Sequence, residues 1–447
     1  MDIKIQEYKK DVAKKKIYIN VWLKFLISHL TALLWTMLSV CLSIPWILEL
    51  GMAVTIPVSI LIICGIAYIP GYINAFTVTS LLMDRQPRFV TTSPVDDITI
   101  IIACRNEANA IGDTLRYIAN QDYKGRIHVI VADNGSTDKT SEMSMKAGKD
   151  LDLDLAVIRE EVPGKFNALN KALGYVNTEY VVTLDADTLL HKSAIRYIVS
   201  RMISSPSDVC AIAGAVLVRN SRTSFIAKLQ EWDYFLGIAS IKRMQGLYQG
   251  TLVAQGAFSL YKTEALKHVD GWPDAIGEDI VLTWNFLSNK WRVYFEPLAV
   301  AFTDVPITLK HLARQRSRWA RGMIEALKVV KPWQHPVGYV KYLTSINLIM
   351  PYLDIIYTFV WLPGLILALF GHYYVAGPAT LFVLPLAMLQ NYILYRYQRS
   401  IFKTLGLKIR KNGIGFIVYV LFYQMLMSPI SIWGYLQEVF FLKRVWK

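Results

Sequence analysis

The sequence has few charged residues for its length, and this shortage excludes an ordinary soluble enzyme. Only 18% of the 447 residues are charged, whereas 54% are hydrophobic. The charge that is present is unbalanced, with 48 Lys and Arg residues against 34 Asp and Glu residues, a formal net charge of +14. An apolar composition with a basic excess is typical of an integral membrane protein with cationic cytoplasmic surfaces.

Paired cysteine and histidine motifs are also missing. The cysteines are Cys41, Cys64, Cys104 and Cys210, and because no two of them form a CxxC pair, neither a zinc site nor a disulfide framework is indicated. The histidines form no HxxxH or HxH pair. Nucleic acid is the other usual partner of a basic chain, but the sequence has no basic motif with base-stacking aromatic residues, so no nucleic acid is expected.

Long apolar runs are present near both ends of the chain. Residues 1–20 form a lysine-rich tail, and residues 21–82 predict two transmembrane helices that leave this tail in the cytoplasm. Residues 341–447 contain about three further hydrophobic segments, with a cationic loop around residues 396–411. Five spans would place basic residues 443–447 outside, against the positive-inside rule, so the orientation of the last segment and of the C-terminus stays open.

The intervening chain has the composition of a soluble domain. Over residues 83–310, short β-branched runs alternate with amphipathic stretches, and residues 311–340 predict interfacial amphipathic helices. The alternation predicts an α/β fold with a mostly parallel sheet covered by helices. Ligands bind at the carboxyl ends of the strands in such sheets, so three polar segments should meet in one crevice. These segments are Cys104–Glu107, Asp133–Ser136 and Asp185–Asp187.

Asp185 and Asp187 end an apolar strand-like run. Residues i and i+2 of a strand point to the same side, so the two carboxylates should project together. A divalent cation between them and an anionic ligand would relieve their repulsion, and Mg²⁺ or Mn²⁺ prefers such oxygen ligands. The alternative is an Asp-x-Asp in a surface turn.

Asp133 and Lys165 each have two interpretations. Asp133 follows the second predicted strand, where its carboxylate could accept from the edge of a nucleotide base or form an Asx turn that caps the next helix. Lys165 follows a glycine and precedes a helical pattern, which suits a phosphate, whereas a solvated lysine is the alternative.

Two further motifs are candidates for a sugar-transfer site. Asp279 stands with Glu278 at a predicted helix start, where it could deprotonate an acceptor hydroxyl or only stabilise the helix dipole. In HLARQRSRWARG, Gln315, Arg318 and Trp319 share one helix face, with a planar fork donor for a diphosphate and a flat ring for a sugar. The alternative for this second motif is a basic helix that rests on anionic lipid.

Together these motifs resemble the membrane-embedded, processive family 2 glycosyltransferases, which include hyaluronan, cellulose, chitin-oligosaccharide and poly-N-acetylglucosamine synthases. The resemblance rests on ACRNEAN, ADNGSTD, GK, LDADT, GED and QRSRW in this order, and it covers almost the whole chain. It implies a nucleotide-diphospho-sugar transferase domain of the GT-A type between N- and C-terminal transmembrane helices.

The resemblance also implies roles for single residues. Donor-binding residues would be Asp133 at the uracil, Lys165 and Arg318 at the diphosphate, and Asp185 and Asp187 as the DxD pair, with Asp187 the direct metal ligand. Asp279 would be the catalytic base. The acceptor would be bound by Gln255, Gly256, Gln315 and Trp319. Asn134 departs from the family pattern, in which a second aspartate is common, and the C-terminal gating motif of cellulose and hyaluronan synthases is not evident.

The expected activity is therefore that of an inverting transferase that uses a UDP-sugar, either UDP-N-acetylglucosamine or UDP-glucose. It would need Mg²⁺ or Mn²⁺, extend a β-linked polysaccharide at the cytoplasmic face of the plasma membrane, and translocate the product. One alternative is a non-processive transferase with a lipid acceptor, resembling ceramide glucosyltransferase. Another is a transporter or scaffold with an inactive transferase domain. The sequence indicates no oligomeric state.

Overall fold

The computed structural model of the chain describes residues 19–377, 380 and 384–442. Most of the predicted basic tail, residues 1–18, lies outside the described residues, as do the basic residues 443–447.

Apolar helices precede the soluble domain. They are α1 (Val21–Ala53), α2 (Ile56–Ile63), a π-helical turn (Cys64–Tyr68) and α3 (Ile69–Leu82). Helix α1 begins where the side chain of Asn20 accepts a hydrogen bond from the Leu23 amide at 2.7 Å, which satisfies a backbone donor of the first turn. Helices α1 and α3 pack against each other, so the chain returns to the side from which it entered.

A single eight-stranded sheet forms the centre of the soluble domain. Its strand order is β3-β2-β1-β4-β7-β6-β8-β5. The strands are β1 (Ile98–Cys104), β2 (Ile127–Asp133), β3 (Asp154–Arg159), β4 (Tyr180–Asp185), β5 (Leu189–Leu190), β6 (Val209–Val218), β7 (Phe258–Lys262) and β8 (Arg292–Thr303). Strands β3, β2, β1 and β4 are mutually parallel, as are β6 and β8, whereas β7 and β5 run antiparallel to their neighbours. The predicted α/β fold with a mostly parallel sheet is confirmed.

Helices cover both faces of this sheet, which explains why its central strands are continuous apolar runs. On β1, Ile100 and Ile102 pack on one face and Ile101 on the other, and all three are completely buried. The helices are α4 (Ile111–Ala119), α5 (Thr140–Asp150), α6 (Lys165–Leu173), α7 (Ala194–Ile203), α8 (Phe225–Trp232), α9 (Ala239–Leu247), α10 (Thr263–His268), α11 (Glu278–Ser288) and α12 (Leu309–Val329). A π-helical segment, Asp233–Ile238, joins α8 to α9.

The remaining helices follow α12. They are a 3₁₀ turn (Pro332–Gln334), α13 (Gly338–Ile356), a π-helical turn (Tyr357–Trp361), α14 (Leu362–Leu369), α15 (Leu384–Thr404) and α16 (Gly413–Val439). Among the described residues, four helical stretches are long and apolar enough to cross a membrane: Val21–Ala53, Ile56–Leu82, Gly338–Leu369 and Gly413–Val439. Helix α15 is not one of them, although the predicted hydrophobic segments included its first half.

Helix α16 also packs against α12 and forms ion pairs with it. The Glu438 carboxylate of α16 accepts from the Arg321 guanidinium at 2.9 Å and from the Lys328 ammonium at 2.8 Å. Gly434 lies so close to α12 that a Cβ atom there would come within 2.3 Å of the Ser317 carbonyl oxygen. Arg321, which flanks the predicted diphosphate-binding face, is therefore engaged with a membrane-spanning candidate.

Candidate active site

A cavity of about 490 Å³ opens at the carboxyl ends of β4 and β8, between the π-helical segment with α9 on one side and α12 on the other. Most of the predicted site residues line it: Lys165, Asp185, Asp187, Gln255, Asp279, Gln315, Arg318 and Trp319. Gly256 borders it, since its backbone lies beside both Lys165 and Asp279. Residues that are distant in the sequence thus meet in one space.

Asp185 and Asp187 project from the end of β4, but they have different neighbours. Asp185 accepts a hydrogen bond from the Lys165 ammonium at 2.6 Å. Asp187 accepts from the Thr303 hydroxyl at 3.2 Å, and burial together with the charge of Asp185 raises the pKa of its carboxyl to about 6. The pair therefore concentrates negative charge, and among the described residues Lys165 is the cation that forms an ion pair with it.

This pair fits a divalent cation only in combination with a ligand. Among the residues that the structure describes, no group of three His, Cys, Asp or Glu side chains could hold a metal ion. Two carboxylates together with phosphate oxygens are nonetheless a normal ligand set for Mg²⁺ or Mn²⁺. Asp185 and Asp187 would hold such a cation when a phosphorylated ligand is bound.

The loop before α6 holds Lys165 in place. Gly164 adopts a φ of +136°, a conformation that favours glycine, and the Asn134 side chain accepts from its amide at 2.8 Å. The Asn134 amide group also donates to the Val162 carbonyl at 2.7 Å. Burial lowers the pKa of Lys165, but the nearby carboxylates outweigh burial and raise it above its ordinary value. Asn134, which departs from the family pattern, therefore positions the loop that carries the Lys165 ammonium.

The two carboxylates at the start of α11 have separate surroundings. Asp279 accepts from the Ile280 amide at 2.8 Å, and its second oxygen lies 3.4 Å from the Gly256 amide. Glu278 is buried, with an oxygen 3.6 Å from the Lys165 ammonium. Asp279 is thus held by backbone amides at the cavity wall, whereas Glu278 balances Lys165.

The environment of Glu278 predicts a pH dependence of stability. Burial raises the pKa of Glu278 to about 7, although Lys165 acts in the opposite direction, so the folded protein binds this proton more tightly than the unfolded chain. Its contribution to stability is complete below about pH 4 and is lost as the pH rises through about 7. Thermal unfolding between about pH 5 and about pH 8 should therefore show a steeper loss of stability for wild type than for Glu278→Gln.

Glu264→Gln is the matched control for this measurement, because Glu264 is exposed on α10. Its profile should follow that of wild type. Parallel profiles for wild type and Glu278→Gln would contradict the prediction.

Helices α11 and α12 meet at a glycine contact. A Cβ atom on Gly322 would lie 2.9 Å from the Gly277 Cα atom, and the reverse distance is the same. The Glu325 carboxylate of α12 also accepts from the Ile276 and Gly277 amides, at 2.7 and 3.2 Å. This contact brings Asp279 and the Gln315–Trp319 face together.

Gly322→Ala should therefore separate the two halves of the site. The new methyl group meets backbone, which can only shift, and overpacking of this kind costs about 1–3 kcal/mol of stability. We expect at least about a hundredfold loss of turnover, since misplacement by about 1 Å has this effect. Gly112→Ala is the matched control in α4, because a Cβ atom there would meet nothing within 4 Å. Equal activity of the two variants would contradict the expectation.

On α12, Gln315 and Trp319 differ in their contacts with the rest of the protein. The Gln315 side-chain oxygen is buried without a hydrogen-bond partner among the described residues, which leaves it available to a ligand. Trp319 is 41% exposed, and the Arg316 guanidinium lies 4.1 Å from its ring centroid. Arg316 is itself held by Asp233 at 2.7 Å. The stacking partner was missed, although its i, i+3 spacing to Trp319 is a usable signal.

Asp133 and Gln255 make contacts within the protein. Asp133 is 1% exposed and does not line the cavity. It accepts from the Ser136 amide at 2.8 Å and from the Ser141 hydroxyl, but it does not cap α5, whose N-cap residue is Lys139. Its role at a nucleotide base stays a prediction. The Gln255 amide group donates to the Gly214 carbonyl at 2.6 Å, which holds the loop before β7 against β6.

Several cavity residues carry no motif and were not predicted. Asp304 follows β8 and pairs with Arg219 at 2.8 Å, so it keeps a further carboxylate near Asp187. Tyr234 and Lys242 line the wall opposite α12. A polar residue after a strand is a signal that could have indicated Asp304, whereas Tyr234 and Lys242 lie within helical patterns that look structural.

Comparison with known proteins agrees with this geometry. Residues 94–322 match the family model described as "Glycosyltransferase like family 2". The chain is 32% identical over 281 residues to the poly-beta-1,6-N-acetyl-D-glucosamine synthase of Staphylococcus aureus (strain MSSA476), with 62% of this chain and 67% of that one covered. It is 35% identical over 237 residues to the Staphylococcus epidermidis synthase of the same name, with 52% and 56% covered.

A solved structure shares the fold. It is a mannosyltransferase from Pyrobaculum calidifontis in complex with GDP-Man and Mn²⁺, with a TM-score of 0.61, 21% identity, and coverage of 86% of this chain and 98% of that one.

The α/β domain has an acidic pair at a strand end, and the family model matches half of the chain. These features define a glycosyltransferase. Helices long and apolar enough to span a membrane lie on both sides of the domain. The chain belongs to glycosyltransferase family 2. The predicted family, fold class and enzyme class are therefore confirmed.

Proposed function

We propose that this transferase uses a UDP-sugar, preferentially UDP-N-acetylglucosamine, to extend a β-linked polysaccharide with inversion at the sugar carbon. The observation that carries the proposal is the shared cavity, in which Asp279 faces the space between the Asp185–Asp187 pair and the Gln315–Trp319 face. The named activity of the staphylococcal relatives supports N-acetylglucosamine as the sugar and a polymer as the product.

On the donor side, Lys165 and Arg318 would bind the diphosphate. Asp185 and Asp187 would hold Mg²⁺ or Mn²⁺, which when bound neutralises phosphate charge. The ammonium of Lys165 is already positioned by Asp185 and Glu278, so little rearrangement is needed to stabilise the leaving group.

On the acceptor side, Asp279 would take the proton of the attacking hydroxyl group. The hydroxyl oxygen forms a bond to C1 of the donor sugar while the bond from C1 to the diphosphate breaks. UDP then leaves with the electron pair, and the proton stays on Asp279. One base suffices, because a single displacement forms no covalent enzyme intermediate. Trp319 and Gln315 would position the acceptor ring.

The four candidate spans of the described residues support a membrane topology for the proposed enzyme. Two precede the transferase domain and two follow it, so with the domain in the cytoplasm the chain beyond α16 is cytoplasmic as well. A cytoplasmic end of the chain would agree with the positive-inside rule for the basic residues 443–447. Elongation would take place at the cytoplasmic face of the plasma membrane, with transfer of the product across it.

The test is a donor panel on the full-length protein in membranes with Mn²⁺. UDP release and a high-mass product are expected with radiolabelled UDP-N-acetylglucosamine, with less turnover from UDP-glucose and none from GDP-mannose. An extractable glycolipid in place of a polymer would contradict polymerisation. Absence of UDP release from every UDP-sugar would contradict the proposed donor class.

A further inference from the structure

One wall of the cavity is a continuous helical face without a recognised motif. Tyr234, Ile238 and Lys242 follow one another at intervals of four residues, so they lie on one side of the helix, and all three line the cavity. Tyr234 lies beside Arg316 and Trp319 of α12, whereas Lys242 contacts Val253 in the loop before β7. This wall therefore runs along the cavity from α12 to the loop before β7.

Lys242 is an unusual residue for such a wall. Its side chain is buried, with 7% of the residue exposed, and its ammonium donates to the Val253 carbonyl at 3.1 Å. No carboxylate in the described part of the chain forms an ion pair with it. An ammonium has three donors, so two are left without a described acceptor. Burial lowers its pKa to about 7, only partly offset by Asp279, because a buried cation lacks solvation.

The segment that Lys242 touches leads directly to Asp279. Val253 precedes Ala254, whose amide donates to the Thr283 hydroxyl at 2.9 Å, and that hydroxyl donates to the Asp279 carbonyl at 2.6 Å. A ligand group beside Lys242 would therefore lie in the same cavity as Asp279, whose backbone carbonyl this segment contacts through Thr283.

We infer that Lys242 binds the acceptor saccharide, with its free N–H groups donating to hydroxyl or amide-carbonyl oxygens of the acceptor and turning the attacking hydroxyl towards Asp279. This inference rests on the proposed function, because it assigns a residue to the acceptor of that reaction. Sugar oxygens are neutral acceptors that replace the lost solvation of a buried ammonium without forming an ion pair.

The experiment compares Lys242→Met, Lys242→Arg and the control Lys262→Met in the purified full-length protein. Lys262 also donates to a carbonyl, that of Ser207 at 2.6 Å, but it lies outside the cavity. The probes are a β-linked N-acetylglucosamine oligosaccharide as acceptor and UDP-N-acetylglucosamine as donor. The readouts are the acceptor KM, kcat, hydrolysis of the donor by water, and UDP affinity.

For Lys242→Met we expect the acceptor KM to rise at least about tenfold, a loss typical of hydrogen bonds to a charged group. UDP affinity and donor hydrolysis should stay within about twofold of wild type. Lys242→Arg should restore part of the acceptor affinity, and Lys262→Met should match wild type throughout. An unchanged acceptor KM in Lys242→Met would overturn the inference. So would an equal loss of UDP affinity, because Lys242 would then only hold the wall together.

A binding measurement without turnover keeps the two proposals separate. The measurement is the shift in Tm that the oligosaccharide alone causes. This shift should be present in wild type and Lys262→Met, and it should be lost in folded Lys242→Met. If wild type releases no UDP from any UDP-sugar, the proposed function fails, whereas this comparison still tests Lys242. Equal shifts in all variants would refute its role at the acceptor.

Discussion

Asp279→Asn is expected to reduce sugar transfer by about 10²- to 10⁴-fold, the usual contribution of a positioned general base. An amide can still accept from the Ile280 amide, which donates to Asp279 at 2.8 Å, so the start of α11 should keep its geometry. It cannot take up the acceptor proton at neutral pH. UDP affinity in the presence of Mn²⁺ should therefore stay near that of wild type while the polymer disappears.

Asp113→Asn is a suitable control for this variant. It removes the same charge from an exposed ion pair with Arg116 on α4, at 2.7 Å, and Asp113 does not line the cavity. Transfer by this control should be unchanged. Polymer formation by Asp279→Asn at nearly the wild-type rate would show that another group is the base.

Asp187→Asn is also expected to have a large effect, and it should act in opposite directions on function and stability. Loss of a charged ligand should weaken UDP binding in the presence of Mn²⁺ by roughly 10- to 100-fold, as for a contact worth about 1.5–3 kcal/mol. Without Mn²⁺ and UDP, the variant should unfold at a higher temperature than wild type. The reason is that burial and Asp185 raise the pKa of Asp187 to about 6, so its charge is unfavourable in the folded protein.

The measurement is a Tm with and without Mn²⁺ and UDP, together with a UDP affinity. Asp208→Asn is the control, since Asp208 forms a half-exposed pair with Arg292 at 2.8 Å outside the cavity. The control should respond to Mn²⁺ and UDP as wild type does. An Mn²⁺-dependent shift of equal size in Asp187→Asn would rule out Asp187 as a metal-binding residue.

Much of the fold was predictable because its strands are fully buried. The short β-branched runs predicted strands, and one of them forms β1, in which Ile98, Ile100, Ile101 and Ile102 are completely buried. Helices on both faces of the sheet require apolar residues at successive positions, and such runs are easily read. The antiparallel insertion of β7 between β4 and β6 was not predicted, because the pairing partner of a short strand depends on contacts distant in the sequence.

The candidate site was predictable where it follows strand ends and helix starts. Asp185, Asp187 and Asp279 were found in this way, since parallel strands deliver their carboxyl ends to one edge. The sequence did not predict the contacts of Asn134, Arg316 and Lys242, because each has an ordinary sequence context. Their roles come from partners elsewhere, such as the Gly164 amide for Asn134.

The sequence by itself determined the class of enzyme, the apolar helices and the acidic and basic groups of the site, because these depend on local patterns of residue type. Only the tertiary structure decided which of these groups meet and how each is balanced. It paired Lys165 with Asp185 and Glu278, and it engaged Arg321 with Glu438. The physical reason is that hydrogen bonds, burial and charge act over a few ångströms in space, whereas their partners lie tens to hundreds of residues apart along the chain.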